Sequence, residues 1–169
     1  MILIVVIAIV VVVFAALGIW HFVFSRPNPA LSTTRVTIGN AVFSVEVAST
    51  TIEQARGLSG RNGLGQNEGM LFLFSSQNVQ KFWMKDMNFP IDIIWIGRGS
   101  PSQTSQDKTW EGKILGFAEN AVPEPGTPLW GLKIYSSPDG VDTVLEVNTG
   151  IVAKYGIKVG DSVAISGVE

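Results

Sequence analysis

Asp92 is the acidic side chain that least suits its surroundings. In Pro90-Ile91-Asp92-Ile93-Ile94-Trp95-Ile96 both faces of a strand would be apolar, so Asp92 shares one with Ile94 and Ile96 and is poorly hydrated. A charge there needs a partner. It is either a ligand-binding or acid/base carboxylate with a perturbed pKa, or, as sequence alone favours, a structural ion pair with Arg56, Arg61 or Lys85. Glu146 lies in Leu145-Glu146-Val147-Asn148, whose other face carries Leu145 and Val147, and ordinary solvent exposure explains it. It gains interest only if it converges with Asp92, because two opposed carboxylates could serve general acid/base chemistry or hold a cation. Phe82-Trp83-Met84, with Phe89 and Trp95, either line an apolar or sugar-stacking pocket or, as inward aromatics of a sheet usually do, fill the core.

The inventory excludes several chemistries. There is no cysteine, and the single histidine, His21, lies at the end of an apolar N-terminal run. Zinc sites, haem ligation, Ser-His-Asp triads and Cys-His dyads therefore have no components in the rest of the chain. No Gly-rich run leads from a strand into a helix with a following lysine, and Gly57-Leu58-Ser59-Gly60 reads as a helix stop rather than a phosphate loop. No cofactor and no metal site are expected. Any catalysis would fall to carboxylates, lysine, tyrosine or hydroxyls, with at most a hard cation on oxygen ligands.

The elements that must position these residues are mostly short strands. Val36 to Ile38, the turn Gly39-Asn40 and Val42 to Val47 spell a hairpin, with Phe43, Val45 and Val47 alternating against Ser44 and Glu46. Thr50 with Glu53 three residues on is a capping box, opening a short helix that should stop at Gly57 or Gly60. Further strands are predicted at Met70 to Phe74, Lys81 to Met84, Ile91 to Ile96, Lys113 to Glu119, Thr143 to Asn148 and Ser162 to Ile165, with a brief helix at Ile151 to Tyr155. Residues 97–112 read as a long polar connection. This pattern predicts a mainly β domain, a jelly-roll-like β-sandwich or partly open barrel with one or two short helices.

Residues 1–24 carry no charged side chain, and Ile2 to Phe24 would make a helix of roughly 35 Å, enough to cross a hydrocarbon core of about 30 Å. With no basic n-region and too long an apolar core for a cleaved signal peptide, they read as a retained transmembrane anchor, with the lipid bilayer as partner of residues 2–24. Ser25 to Thr34, with two prolines, reads as a linker, and 35–169 as one domain. Arg26 and Arg35 after the span would, by the positive-inside rule, place that domain in the cytoplasm, a thin vote from two residues. Twelve Lys and Arg against fourteen Asp and Glu, without a basic cluster, argue against nucleic acid as a partner.

Glu53-Gln54-Ala55-Arg56-Gly57-Leu58-Ser59-Gly60-Arg61, Gly69-Met70-Leu71-Phe72, Phe82-Trp83-Met84-Lys85, Pro90-Ile91-Asp92 and Leu145-Glu146-Val147-Asn148-Thr149-Gly150, closing with Gly160-Asp161, occur in this order. Together they resemble the successive motifs of the domain of unknown function 192 family, from about Val36 to Ile165. The resemblance implies a compact, jelly-roll-like β domain, commonly behind a signal sequence or anchor and facing outward from the cytoplasmic membrane, with no established activity. It also marks Arg56, Arg61, Trp83, Lys85, Asp92 and Glu146 as the matching polar and aromatic positions, candidates for one shared ligand-binding cleft. The chain departs from the family pattern at Ser59, where a methionine is usual, and in the expanded 97–112 connection.

Three functions follow as expectations. The first is a membrane-tethered extracytoplasmic binding or accessory module for a small polar ligand or envelope component, using Asp92, Lys85 and Arg61, with Trp83 for stacking. The second is a carboxylate-dependent enzyme on envelope glycans, which needs Asp92 and Glu146 about 5 to 10 Å apart across one groove. The third is an interaction scaffold whose polar positions form a structural network.

Overall fold

The computed structural model describes residues 27–101 and 109–167, together with Val13. The expected anchor over 1–24 falls, Val13 apart, outside the described residues. Among the described residues no helix is long and apolar enough to cross a membrane.

The predicted hairpin forms: β1 (Thr33–Ile38) and β2 (Ala41–Ala48) pair antiparallel from Thr33↔Glu46 to Ile38↔Ala41 around a turn in which Gly39 takes a positive φ of 57°. The capping box forms as well. Thr50 accepts a bond from the Glu53 N–H at 3.3 Å, and the Glu53 carboxylate accepts from the Thr50 N–H at 2.9 Å, opening α1 (Thr51–Arg56), which Gly57 closes. Asn28, the fourth residue of the expected linker, donates to the carbonyls of Glu53 and Gly57 at 2.9 and 3.0 Å, which ties that segment to α1, while its last residues, Thr33 and Thr34, already belong to β1.

The chain continues through β3 (Glu68–Asn78), β4 (Lys81–Phe82), β5 (Ile91–Pro101), β6 (Thr109–Ala121), a 3-10 turn at Leu129–Gly131, β7 (Tyr135–Ser136), β8 (Val141–Asn148), α2 (Ile151–Tyr155) and β9 (Ser162–Ser166). Seven strands close a barrel in the order β1-β2-β3-β8-β5-β6-β9, while β4 and β7 form a separate ribbon. This corrects the expected sandwich or partly open barrel. Closure comes from β9, which pairs with β6 on one side and β1 on the other, and the sheet is mixed because β2 and β3, joined through α1, run parallel. The expected 97–112 connection is mostly strand. β5 and β6 stay paired out to Pro101↔Trp110, with three register shifts, and residues 102–108 lie outside the described residues.

The barrel wall has two apolar faces. The interior holds Val36, Phe43, Val45, Leu71, Ile94, Ile96, Leu145, Val147 and Ile165, with Ile151 and Val152 of α2 joining them. The alternate residues of β3, β8 and β5, among them Met70, Phe72, Val144, Ile91, Ile93 and Trp95, form a second core outside the barrel under Leu58, Met84, Met87 and Tyr135. The β4–β7 ribbon holds down this layer. Phe82 meets Phe72 edge-on at 5.0 Å between ring centroids, and Gln80 exchanges bonds of 3.0 Å with Ser137.

Candidate functional site

The outer layer does not close completely over the wall. Between α1 and the ribbon lies a cleft of about 200 Å³ with Glu146 among its lining residues. Phe72, Phe74, Phe82 and Trp83 supply aromatic walls, Leu58 and Met87 add aliphatic surface, and Arg56 and Lys81 bring positive charge. Each position follows from local structure. Phe72 and Phe74 alternate outward on β3, and Arg56 is the last residue of α1, held to the wall because Gln54 donates to the carbonyls of Leu73 at 2.7 Å and Ala48 at 3.3 Å.

Glu146 stands opposite Met70 on β3 and Ile93 on β5, both fully buried, and is itself only 5% exposed. Burial pushes its carboxyl up to about 8, with no opposing contribution from a cation or hydrogen-bond donor among the described residues. At neutral pH it is chiefly the protonated acid. The expected solvent exposure of Glu146 is thus corrected: alternation identifies a polar residue on the outer face, but the covering layer comes from segments far away in the chain.

Asp92 is a contrast. It is fully buried, yet its partners are backbone N–H groups, Asn120 donating to Oδ1 at 2.9 Å and Val152 donating to Oδ2 at 3.0 Å. Val152 lies in the first turn of α2, so the carboxylate satisfies an end group of that helix from a strand 60 residues away. The expected pairing with Arg56, Arg61 or Lys85 is not what balances it. Asp92 pairs in register with Val147, and Glu146 with Ile93, which sends the two carboxyls to opposite faces of the wall. The shared groove required for an Asp92–Glu146 acid/base pair is therefore absent.

Of the six candidate positions, Arg56, Trp83 and Glu146 line the cleft. Arg61 instead forms a two-pronged pair with Glu46 at 2.6 and 2.8 Å, and its hydrogen bond holds the Glu46 carboxyl below the usual range. Lys85 pairs with its neighbour Asp86. The aromatic cluster divides: Met84 and Trp95 are buried in the outer core, whereas Phe82 and Trp83 line the cleft, Trp83 being 48% exposed. Phe72, Phe74 and Lys81 also line the cleft, positions to which the sequence alone assigns no site role. The signal for the two phenylalanines was their period of two with Met70, which places them on one face. Among the described residues no group of three His, Asp or Glu side chains is placed to hold a metal ion.

Residues 34–165 match the DUF192 family, described as "Uncharacterized ACR". The chain belongs to this family. A crystal structure of a protein of unknown function from Novosphingobium aromaticivorans is similar at 34% identity and a TM-score of 0.64, over 82% of this chain and 90% of that one. A putative transcription regulator from Sinorhizobium meliloti is similar at 28% identity and a TM-score of 0.64, over 80% of this chain and 95% of that one. No curated protein matches the chain significantly. In this DUF192 domain the Gly69 motif sits against the strand that carries Glu146: a Cβ at Gly69 would collide with the Glu146 carbonyl oxygen, so glycine lets β3 approach β8 beside the cleft.

Proposed function

We propose that this chain is a binding module for a small ligand with a polar head and an apolar body, seated in the cleft over Glu146. One observation carries the reading: a carboxyl only 5% exposed, without a partner among the described residues, opens onto a small cleft with aromatic walls. Such a group costs stability, and a ligand that engages it recovers what the fold leaves unmet. Trp83 at the rim and Phe82 on the ribbon would cover the ligand's body. The charge-free N-terminal run supports a membrane anchor, and the family resemblance favours display of the domain outside the cytoplasm. The regulator name of the Sinorhizobium relative is not carried over, because a net charge of −2 without a basic cluster gives a nucleic acid little to bind.

The test is a thermal-shift screen of small amphiphiles, sugars and metabolites on the full chain, run beside Trp83→Ala and Glu146→Gln. A ligand at a hundred times its Kd adds about 2.7 kcal/mol. Hits that both variants weaken support the reading; an empty screen, or hits that both variants retain, contradict it. Protease access to the domain in intact cells tests the topology.

A further inference from the structure

We propose that the ligand's head is a small organic ammonium ion, which pairs with the Glu146 carboxylate while an apolar body rests against Phe72, Phe74, Phe82 and Trp83. This rests on the binding reading above and names the chemical class it takes.

Three kinds of head group could meet a lone buried carboxyl. A hydroxyl or carbonyl would accept one hydrogen bond from the protonated acid, a neutral contact of modest strength. A carboxylate would accept the same bond, but it would hold Glu146 in its protonated form and meet the negative faces of the surrounding rings. An ammonium converts the group into a charge-assisted pair, and its positive charge is favoured by the negative faces of the surrounding rings. Four of the cleft's lining residues are aromatic, and no cation of the described residues already pairs with Glu146.

The other charged groups limit the rest of the ligand. Arg56 approaches from α1 and Lys81 from β4, and the Glu46–Arg61 pair lies on the same outer face, Glu46 standing in register with Met70. Glu146 is the one acidic side chain among the described lining residues, so a second positive charge on the ligand would find no carboxylate there, and a monoamine fits where a polyamine does not. A cleft of about 200 Å³ also keeps the body small, at the scale of one aromatic ring and a short tether.

Because the ammonium pairs with the ionised carboxylate, binding to the protonated site releases one proton to solvent. The competent fraction rises tenfold per pH unit below the carboxyl's midpoint and levels off above it. The test is isothermal titration calorimetry of the full chain with three probes that share a body and differ in the head: 2-phenylethylamine, 2-phenylethanol and phenylacetate. The expected result is binding by the amine with a Kd that tightens about tenfold from pH 6 to pH 7, proton release seen as a buffer-dependent heat, and at least tenfold weaker, pH-independent binding to Glu146→Gln. Trp83→Ala, on the exposed rim, is expected to weaken the amine without removing its pH dependence. Alcohol or phenylacetate binding as tightly as the amine, or affinity that improves as pH falls, would overturn the ammonium class while leaving a binding module in place. Failure of the amine to bind would overturn the proposal as well, and the separate screen would then decide the broader reading.

Discussion

Two carboxyls stand one register position apart on adjacent strands, and the barrel wall separates them. Asp92 faces inward and is met on both oxygens by backbone N–H groups from β6 and α2, whereas Glu146 faces outward between Met70 and Ile93 and is met by no donor or cation among the described residues. Both are at least nineteen-twentieths buried, so burial does not distinguish them. The partner inventory does. A saturated buried carboxylate fixes the packing of a helix against a barrel; an unsaturated one beside a cleft is a group left for something else to engage.

That contrast can be broken first through pH. The Glu146 carboxyl is raised to about 8, so the folded chain holds its proton between about pH 4.5 and 8 while the unfolded chain has lost it, and stability falls with rising pH across this window. The contribution is fully present below the unfolded value and gone once pH has passed the folded one, a loss on the order of 5 kcal/mol for a separation this large. Glu146→Gln removes this slope. Denaturant melts of both proteins from pH 4 to 9 should converge at the acid end and separate toward the alkaline end, with the variant the more stable. Parallel curves would mean that Glu146 is hydrated or paired.

Asp92→Asn should act in the opposite sense. One oxygen is replaced by an amide NH₂ that faces an N–H donor, so the variant should lose about 3 kcal/mol at neutral pH while keeping cleft binding, checked by chemical denaturation and by the ligand from the screen. A stable variant that has lost binding would exchange the roles of the two carboxyls. Arg61→Ala removes a two-pronged pair whose side chains are 18% and 24% exposed, and should cost about 1 kcal/mol with the cleft affinity unchanged. Trp83→Ala should be the mildest for the fold, within about 0.5 kcal/mol because the ring is half exposed, and should register instead as weaker ligand binding.

The local parts of this architecture were legible in the sequence, and the non-local parts were not. Thr50 and Glu53 carry their own capping geometry, Gly39-Asn40 its own turn, and the Ile151–Tyr155 helix is bounded by glycines on both sides, so these elements could be placed from short windows. Barrel closure depends on where β9 inserts and on a parallel partner for β2, which no window contains. The polar run after Ile96 looked like a loop because one face of a paired ribbon can be solvated without losing its ladder bonds. Val144 and Glu146 share a face, but only the folded chain brings Leu58, Met84 and Tyr135 across that outer layer. The family motifs therefore group Arg56, Trp83 and Glu146 without showing their common cleft, whereas Asp92, conspicuous in an apolar strand, is fully served by main chain.

The most direct measurement is a ¹³C NMR titration of the Glu146 side-chain carboxyl in the full chain, assigned by comparison with Glu146→Gln and repeated with saturating 2-phenylethylamine. The expected midpoint is about 8 without the amine and clearly lower with it, because the ammonium stabilises the ionised form. A midpoint near the ordinary glutamate value of about 4.3, unmoved by the amine, would show a carboxyl that is neither stranded nor available, and would contradict the assignment of the cleft.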